Sequence, residues 1–222
     1  MGFVVEPRRF VEGDEQSRAA ESLRKYYAGF VGRHFDQLLE GLDPNRFDER
    51  DFFAVSMLSV RVPPEAGLRL IGNVECEALL GQIPLGASIS DLSVPMDKQS
   101  PAWRLWDLLR SNSGLGPTIT SKLMAAKRPG LIPVHDTFVS NALMRGQLDG
   151  EWAAWREAMS SPDLAAACDR LRETAGVPDG VTDLRMLDVV IWMRVHGDKR
   201  DGDSEFWLWT RDSAAEADSH SG

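Results

Sequence analysis

Two glycines one residue apart, Gly114 and Gly116, separate two stretches of helical periodicity, and Pro117 follows at once. This pattern constrains the chain more than any other. Glycine reaches positive φ without a Cβ clash, so the pair permits a very tight turn. Proline at a first helical position gives up an N–H that would have had no partner. The stretch before the turn opens with Ser100-Pro101, a helix start signal, and carries Trp103, Leu105, Trp106, Leu108 and Leu109. The stretch after it, 118–127, sets Ile119, Leu123 and Met124 on one face. The start of that second helix exposes several N–H groups, and its dipole favours an anion there. A phosphate is the natural ligand. Gly114, Gly116, Thr118, Lys122, Lys127 and Arg128 are the residues expected to meet it, the last three as a basic patch.

Beyond the second helix comes Arg128-Pro129-Gly130, a short extended piece, and then Val134-His135-Asp136-Thr137-Phe138-Val139. The pattern places Asp136 at the start of a further helix, facing the end of the hairpin. A carboxylate there has two readings. It caps the helix, or it serves as an acid–base group that orients or deprotonates a water. His135 beside it is an acid–base candidate or a satisfied structural group.

The rest of the chain also reads as helical. Apolar residues recur at spacings of three and four from about 14 to 42, with Gly29 and Gly32 dividing the run. Acidic residues at 48–51 lead into an apolar run at 52–62 that Pro63-Pro64 ends. Residues 66–80 suggest a short helix or a pair of turns, and 82–95 a loop. Amphipathic helices are expected at 151–158 and 162–175, and a largely apolar one at 184–195, capped by Thr182-Asp183. Asp188 is the oddity of that last helix, because a buried carboxylate needs a partner; Arg185, three residues earlier, is the expected one. Phe206-Trp207-Leu208-Trp209 suggests a strand or clasp docked on the core, and 212–222 a disordered tail. The expected architecture is all-α: one globular unit over 1–211, with a helix–hairpin–helix core at about 47–144.

Composition narrows the chemistry. The formal net charge of −9 argues against binding nucleic acid with the whole surface, though not against a local basic patch. The two cysteines, Cys76 and Cys168, lie far apart and form no Cys-x-x-Cys pair. They suit buried thiols in a reducing cytoplasm rather than a zinc site or an iron–sulfur cluster. No signal peptide or membrane span is expected. The four histidines are scattered, and no metal site is expected. There is no Walker-type loop, nucleophile elbow or His-Glu-x-x-His motif.

Gly114-Leu115-Gly116, followed 20 residues after Gly116 by Asp136 in Val134-His135-Asp136-Thr137-Phe138-Val139, resembles the helix–hairpin–helix superfamily of DNA glycosylases. The likeness covers about 26 residues of 222. It implies a glycosylase-like fold of two helical lobes with a cleft between them, Asp136 as the catalytic carboxylate, and a hairpin that holds a DNA phosphate, with a monovalent cation on its carbonyls. Thr118 stands where bifunctional members carry a lysine, so the resemblance implies a monofunctional N-glycosylase without lyase activity. No four-cysteine cluster follows the domain. Trp103, Trp106, Tyr27 and Trp192 are candidates to stack on an extruded base, or ordinary core aromatics. Other segments, among them Tyr26-Tyr27-Ala28-Gly29 and Lys127-Arg128-Pro129, are similar to an uncharacterised family common in actinobacteria. Two other functions fit the same residues: a non-catalytic module that binds DNA or a protein through the hairpin, and a glycosylase-like fold recruited to another nucleotide or small-molecule reaction.

Overall fold

The computed structural model describes residues 6–144 and 150–196; the expected clasp at 206–209 and tail at 212–222 lie outside them. Every regular element among the described residues is helical, as the periodicity predicts. After a 3-10 turn at Pro7–Phe10 come α1 (Glu15–Gly29), α2 (Arg33–Leu38), α3 (Glu49–Ser56), α4 (Pro64–Leu70), α5 (Val74–Gln82) and α6 (Pro101–Arg110). They are followed by α7 (Pro117–Lys127), α8 (Thr137–Met144), α9 (Glu151–Met159), α10 (Pro162–Ala175) and α11 (Asp183–His196).

Local chemistry explains most of the boundaries. Asp48 and Asp51 form a reciprocal capping box at the start of α3: the Asp48 side chain accepts from the first-turn backbone, and Asp51 Oδ2 accepts from the Asp48 N–H at 2.8 Å. Asn73 caps α5 and Ser100 caps α6 through side-chain oxygens that accept from first-turn N–H groups. The apolar run at 52–62 is expected to stay helical to its end, yet α3 stops at Ser56. Ser59 takes a left-handed φ of 59° and turns the chain toward Pro63. Asp48→Ala should cost about 1 kcal/mol, read as a lower urea midpoint with an unchanged slope; no change in midpoint would show the cap to be idle.

Two helices are buried nearly all round, and each organises a hydrophobic cluster. α11 packs against α1, α8 and α10, and its cluster joins Val11, Leu23, Trp155, Leu164, Leu171 and Val190. α7 packs against α3 and α6, and its cluster joins Phe35, Phe47, Leu80, Leu105, Leu123 and Ile132. The termini of the described chain thus build one cluster and its middle builds the other. Lys122 of α7 pairs with Asp136 at the head of α8, and α8 packs on α11, which carries Arg185 and Asp188.

Candidate functional site

The hairpin is the turn at 111–116 between α6 and α7. Gly114 adopts a φ of 87°, and a Cβ there would stand 2.8 Å from Pro63 Cγ, so both conformation and space demand glycine. Gly116 does not share the positive φ that the paired glycines suggest. It is the N-cap of α7 with a φ of −67°, and nothing lies within 4 Å of where its Cβ would be. Thr118 follows in the first turn, partly exposed.

The positive charge around the turn is not the one expected. Arg69 donates through Nε to Asn112 Oδ1 and through Nη2 to the Ser113 carbonyl, both at 3.1 Å. Arg110 donates through Nη1 to the Leu115 carbonyl at 2.6 Å. Both arginines reach solvent. Sequence reading missed both: Arg69 needs a fold that brings α4 to the turn, whereas Arg110 lies on α6 next to it.

Lys122, Lys127 and Arg128, expected as a phosphate-facing patch, are buried instead. Lys127 Nζ lies 2.5 Å from Asp51 Oδ1, donates to the Asp43 carbonyl at 2.8 Å, and sits 5.4 Å from the centre of the Phe47 ring. Arg128 donates to the carbonyls of Leu80, Ile83, Pro44 and Lys127 and to Asn45 Oδ1. They close helix ends and a loop inside the fold. A basic pair at a helix C-terminus has this use as readily as a surface one, and only the packing of α3 and α5 over α7 decides between them.

Asp136 is the N-cap residue of α8 by its backbone: its carbonyl accepts from the Ser140 N–H at 2.8 Å. Its side chain is 19% exposed, and Oδ2 lies 3.7 Å from Lys122 Nζ. Lys122 also donates to the Leu58 carbonyl at 2.8 Å, just beyond the end of α3. Burial pulls the Lys122 ammonium below its usual range, while Asp136 and Asp188 oppose the fall. A lysine one turn after Thr118 thus brings its amine beside the candidate carboxylate, which spacing from the glycines does not suggest.

His135 is held rather than free. Its ring Nδ1 is 2.8 Å from Ser140 Oγ and 3.0 Å from Glu151 Oε2, and its backbone N–H donates to Ser121 Oγ at 2.9 Å. All four side chains are buried. The imidazole ties the loop that carries Asp136 to α8 and α9, and the His135 backbone N–H ties it to α7, so the structural reading of His135 is the one its contacts support.

The four candidate base-stacking aromatics do not line one pocket. Trp103 and Trp106 pack edge-on against Trp152, with centroids 5.1 and 5.8 Å apart, in the α7 cluster. Tyr27 and Trp192 belong to a separate aromatic group with Tyr26 and Phe30, in the α11 cluster.

Asp188 meets its expected partner: Arg185 Nη1 lies 2.5 Å from Asp188 Oδ2. The rest of this network was not foreseen. Arg185 also approaches Asp36 Oδ2 at 3.4 Å and donates to the Tyr26 hydroxyl at 2.5 Å and the Gly32 carbonyl at 3.3 Å. Burial pushes Asp188 up to about 6 against the pull of Arg185, with the Asp136 charge adding to the rise. Burial likewise raises Asp36 and Tyr27.

Among the described residues no three His, Cys, Asp or Glu side chains converge as a metal site, and no helix is long and apolar enough to cross a membrane. An open groove of about 310 Å³ lies between the 3-10 turn and α9, lined by Arg8, Arg9, Ala154 and Glu157 among others; no candidate site residue lines it. The chain belongs to a family of unknown function (DUF6308), whose model matches residues 19–195. No curated protein and no solved structure matches the chain.

Proposed function

We propose that this family member hydrolyses an N-glycosidic bond in a nucleic acid, as a monofunctional glycosylase without lyase activity. The observation that carries the reading is the Asp136–Lys122 pair: a partly exposed carboxylate at a helix N-terminus, held by a buried amine on the helix that begins at the hairpin. As the C1′–N bond breaks, its electron pair leaves with the base and the sugar becomes a cation. Asp136 stabilises that cation. Water adds at C1′, and Asp136 takes the proton it sheds. Lys122, closed onto Leu58, orients the carboxylate and leaves no amine exposed for a Schiff base. Arg69 and Arg110, braced on the turn, provide the cationic rim that the three interior cations do not.

The test is a screen of modified-base oligonucleotides and free nucleosides, comparing wild type with Asp136→Asn. Base release should fall by roughly 10²–10⁴-fold in the variant, without strand cleavage in either protein. Release that Asp136→Asn leaves intact would sink the mechanism. The backbone bond from the Ser140 N–H to the Asp136 carbonyl favours a second reading, a non-catalytic module in which Asp136 is a cap. Salt-sensitive binding without base release would select it. Cleavage of free nucleosides alone would place the chemistry on small molecules.

A further inference from the structure

We propose that the groove between the 3-10 turn and α9 is the docking site of Phe206-Trp207-Leu208-Trp209, which closes on the fold as an intramolecular clasp. The proposal stands apart from the Asp136 site. The groove measures about 310 Å³, within the range of pockets that enclose a small organic group. Buried Pro7 and Ala154 and half-buried Ala158 form its apolar part. The two alanines lie one turn apart on α9, and their short side chains leave room for an indole. Exposed Arg8 and Arg9 of the turn, with Glu6, rim one side, and Glu157 of α9 rims the other. Arg8 is shared between Glu12 and Asp163, and Arg9 lies over the Phe10 ring. A guanidinium has five N–H donors, so an exposed one can take on a further carboxylate.

The course of the chain selects this occupant. α11 packs against the 3-10 turn, and Arg194 near its end pairs with Glu15 at the head of α1. Val195 packs on the same cluster as Phe10 and Ala158. The described residues end at His196, so the chain leaves the fold beside the groove. Nine residues, 197–205, lead from there to Phe206 and can span roughly 30 Å. A tether of this length sets a local concentration on the order of millimolar, at which a modest contact suffices.

The chemistry of the segment fits the groove. Four consecutive apolar residues, two of them tryptophan, are costly to leave in water. Glu205 precedes them and Arg211 follows Thr210, so an acid and a base flank an apolar stretch. Across the groove the order is complementary: the arginines of the turn, the apolar floor, then Glu157. Docking sets Glu205 against Arg8 and Arg9, an indole over Ala154 and Ala158, and Arg211 against Glu157.

The test is fluorine NMR of the full chain labelled with fluorotryptophan, with Trp207 and Trp209 assigned by Trp→Phe variants. At least one of the two signals should stand away from its position in urea. Ala158→Phe fills the groove and should send that signal to its urea position, while the other five indoles report that the fold is intact. A nitroxide attached through Glu157→Cys should broaden the same signal. One attached through Val74→Cys, on α5 in the half of the fold built around α7, should leave it sharp. Cys76 and Cys168 are buried, so the label goes to the introduced thiol. If Ala158→Phe disturbs the other indoles, the two nitroxides decide alone. Both signals at their urea positions, equal broadening from the two labels, or a shift that Ala158→Phe leaves in place on an intact fold would each overturn the proposal. A shift lost on dilution does so too, because the segment then comes from a second copy. None of these results bears on Asp136.

Discussion

Arg185→Met should destabilise the protein by about 3–5 kcal/mol, a large part of the total for a domain of ordinary stability. Arg185 is buried and serves Asp188, Asp36, the Tyr26 hydroxyl and the Gly32 carbonyl together. Methionine fills similar space but leaves two carboxylates in the interior without their cation. The loss should depend on pH. Without Arg185 the folded-state pKa values of Asp36 and Asp188 rise further above the unfolded value, so the fold favours their protonated forms. The penalty is then full at neutral pH and shrinks as acid protonates them. Adding Asp188→Asn to Arg185→Met should recover part of the loss. Urea denaturation of the variants at acid and neutral pH checks all three expectations. A loss under about 1 kcal/mol would mean that the cluster is not structural at all.

Arg128→Met should have a comparable effect, about 3–5 kcal/mol, by another cause. The guanidinium joins four backbone carbonyls and one side-chain oxygen, from the loop before α3, the end of α5 and the end of α7. Its removal strands several buried acceptors at once. Arg128→Lys should recover only a fraction, because an ammonium cannot reproduce the planar fork. Thermal unfolding of the two variants measures this. Equal stability of Arg128→Lys and wild type would show that charge, not the fork, is what the site uses.

The hairpin shows how far local chemistry carries. The start of α6 at Ser100-Pro101, the start of α7 after Gly116-Pro117 and the placing of Asp136 at the head of α8 follow from capping, proline and glycine conformation, and all are observed. The division of the first helical run also follows: α1 ends at Gly29 and α2 begins at Arg33. The Asp188–Arg185 pair was legible because its partners lie one turn apart on a single helix.

What did not follow from spacing was which way the cations near the turn point. Lys122, Lys127 and Arg128 have the composition of a surface patch, yet α3, α5 and the loop before α3 cover them. Arg69 and Arg110 reach the turn, although Arg69 is more than 40 residues away in sequence. Trp103 with Trp106, and Tyr27 with Trp192, have equal claims to a base pocket by sequence, but they fall in different clusters.

By itself, then, the sequence determined the all-helical character, the tight turn at Gly114 and a carboxylate at the head of α8, because each depends on dihedral preference, capping or periodicity within a few residues. Only the tertiary structure decided that the lysine beside that carboxylate is Lys122, that the cations at the turn are Arg69 and Arg110, and that Asp36, Arg185 and Asp188 form one buried cluster. The reason is physical: burial and charge pairing depend on which helix covers which, and side-chain reach through space leaves no mark on spacing along the chain.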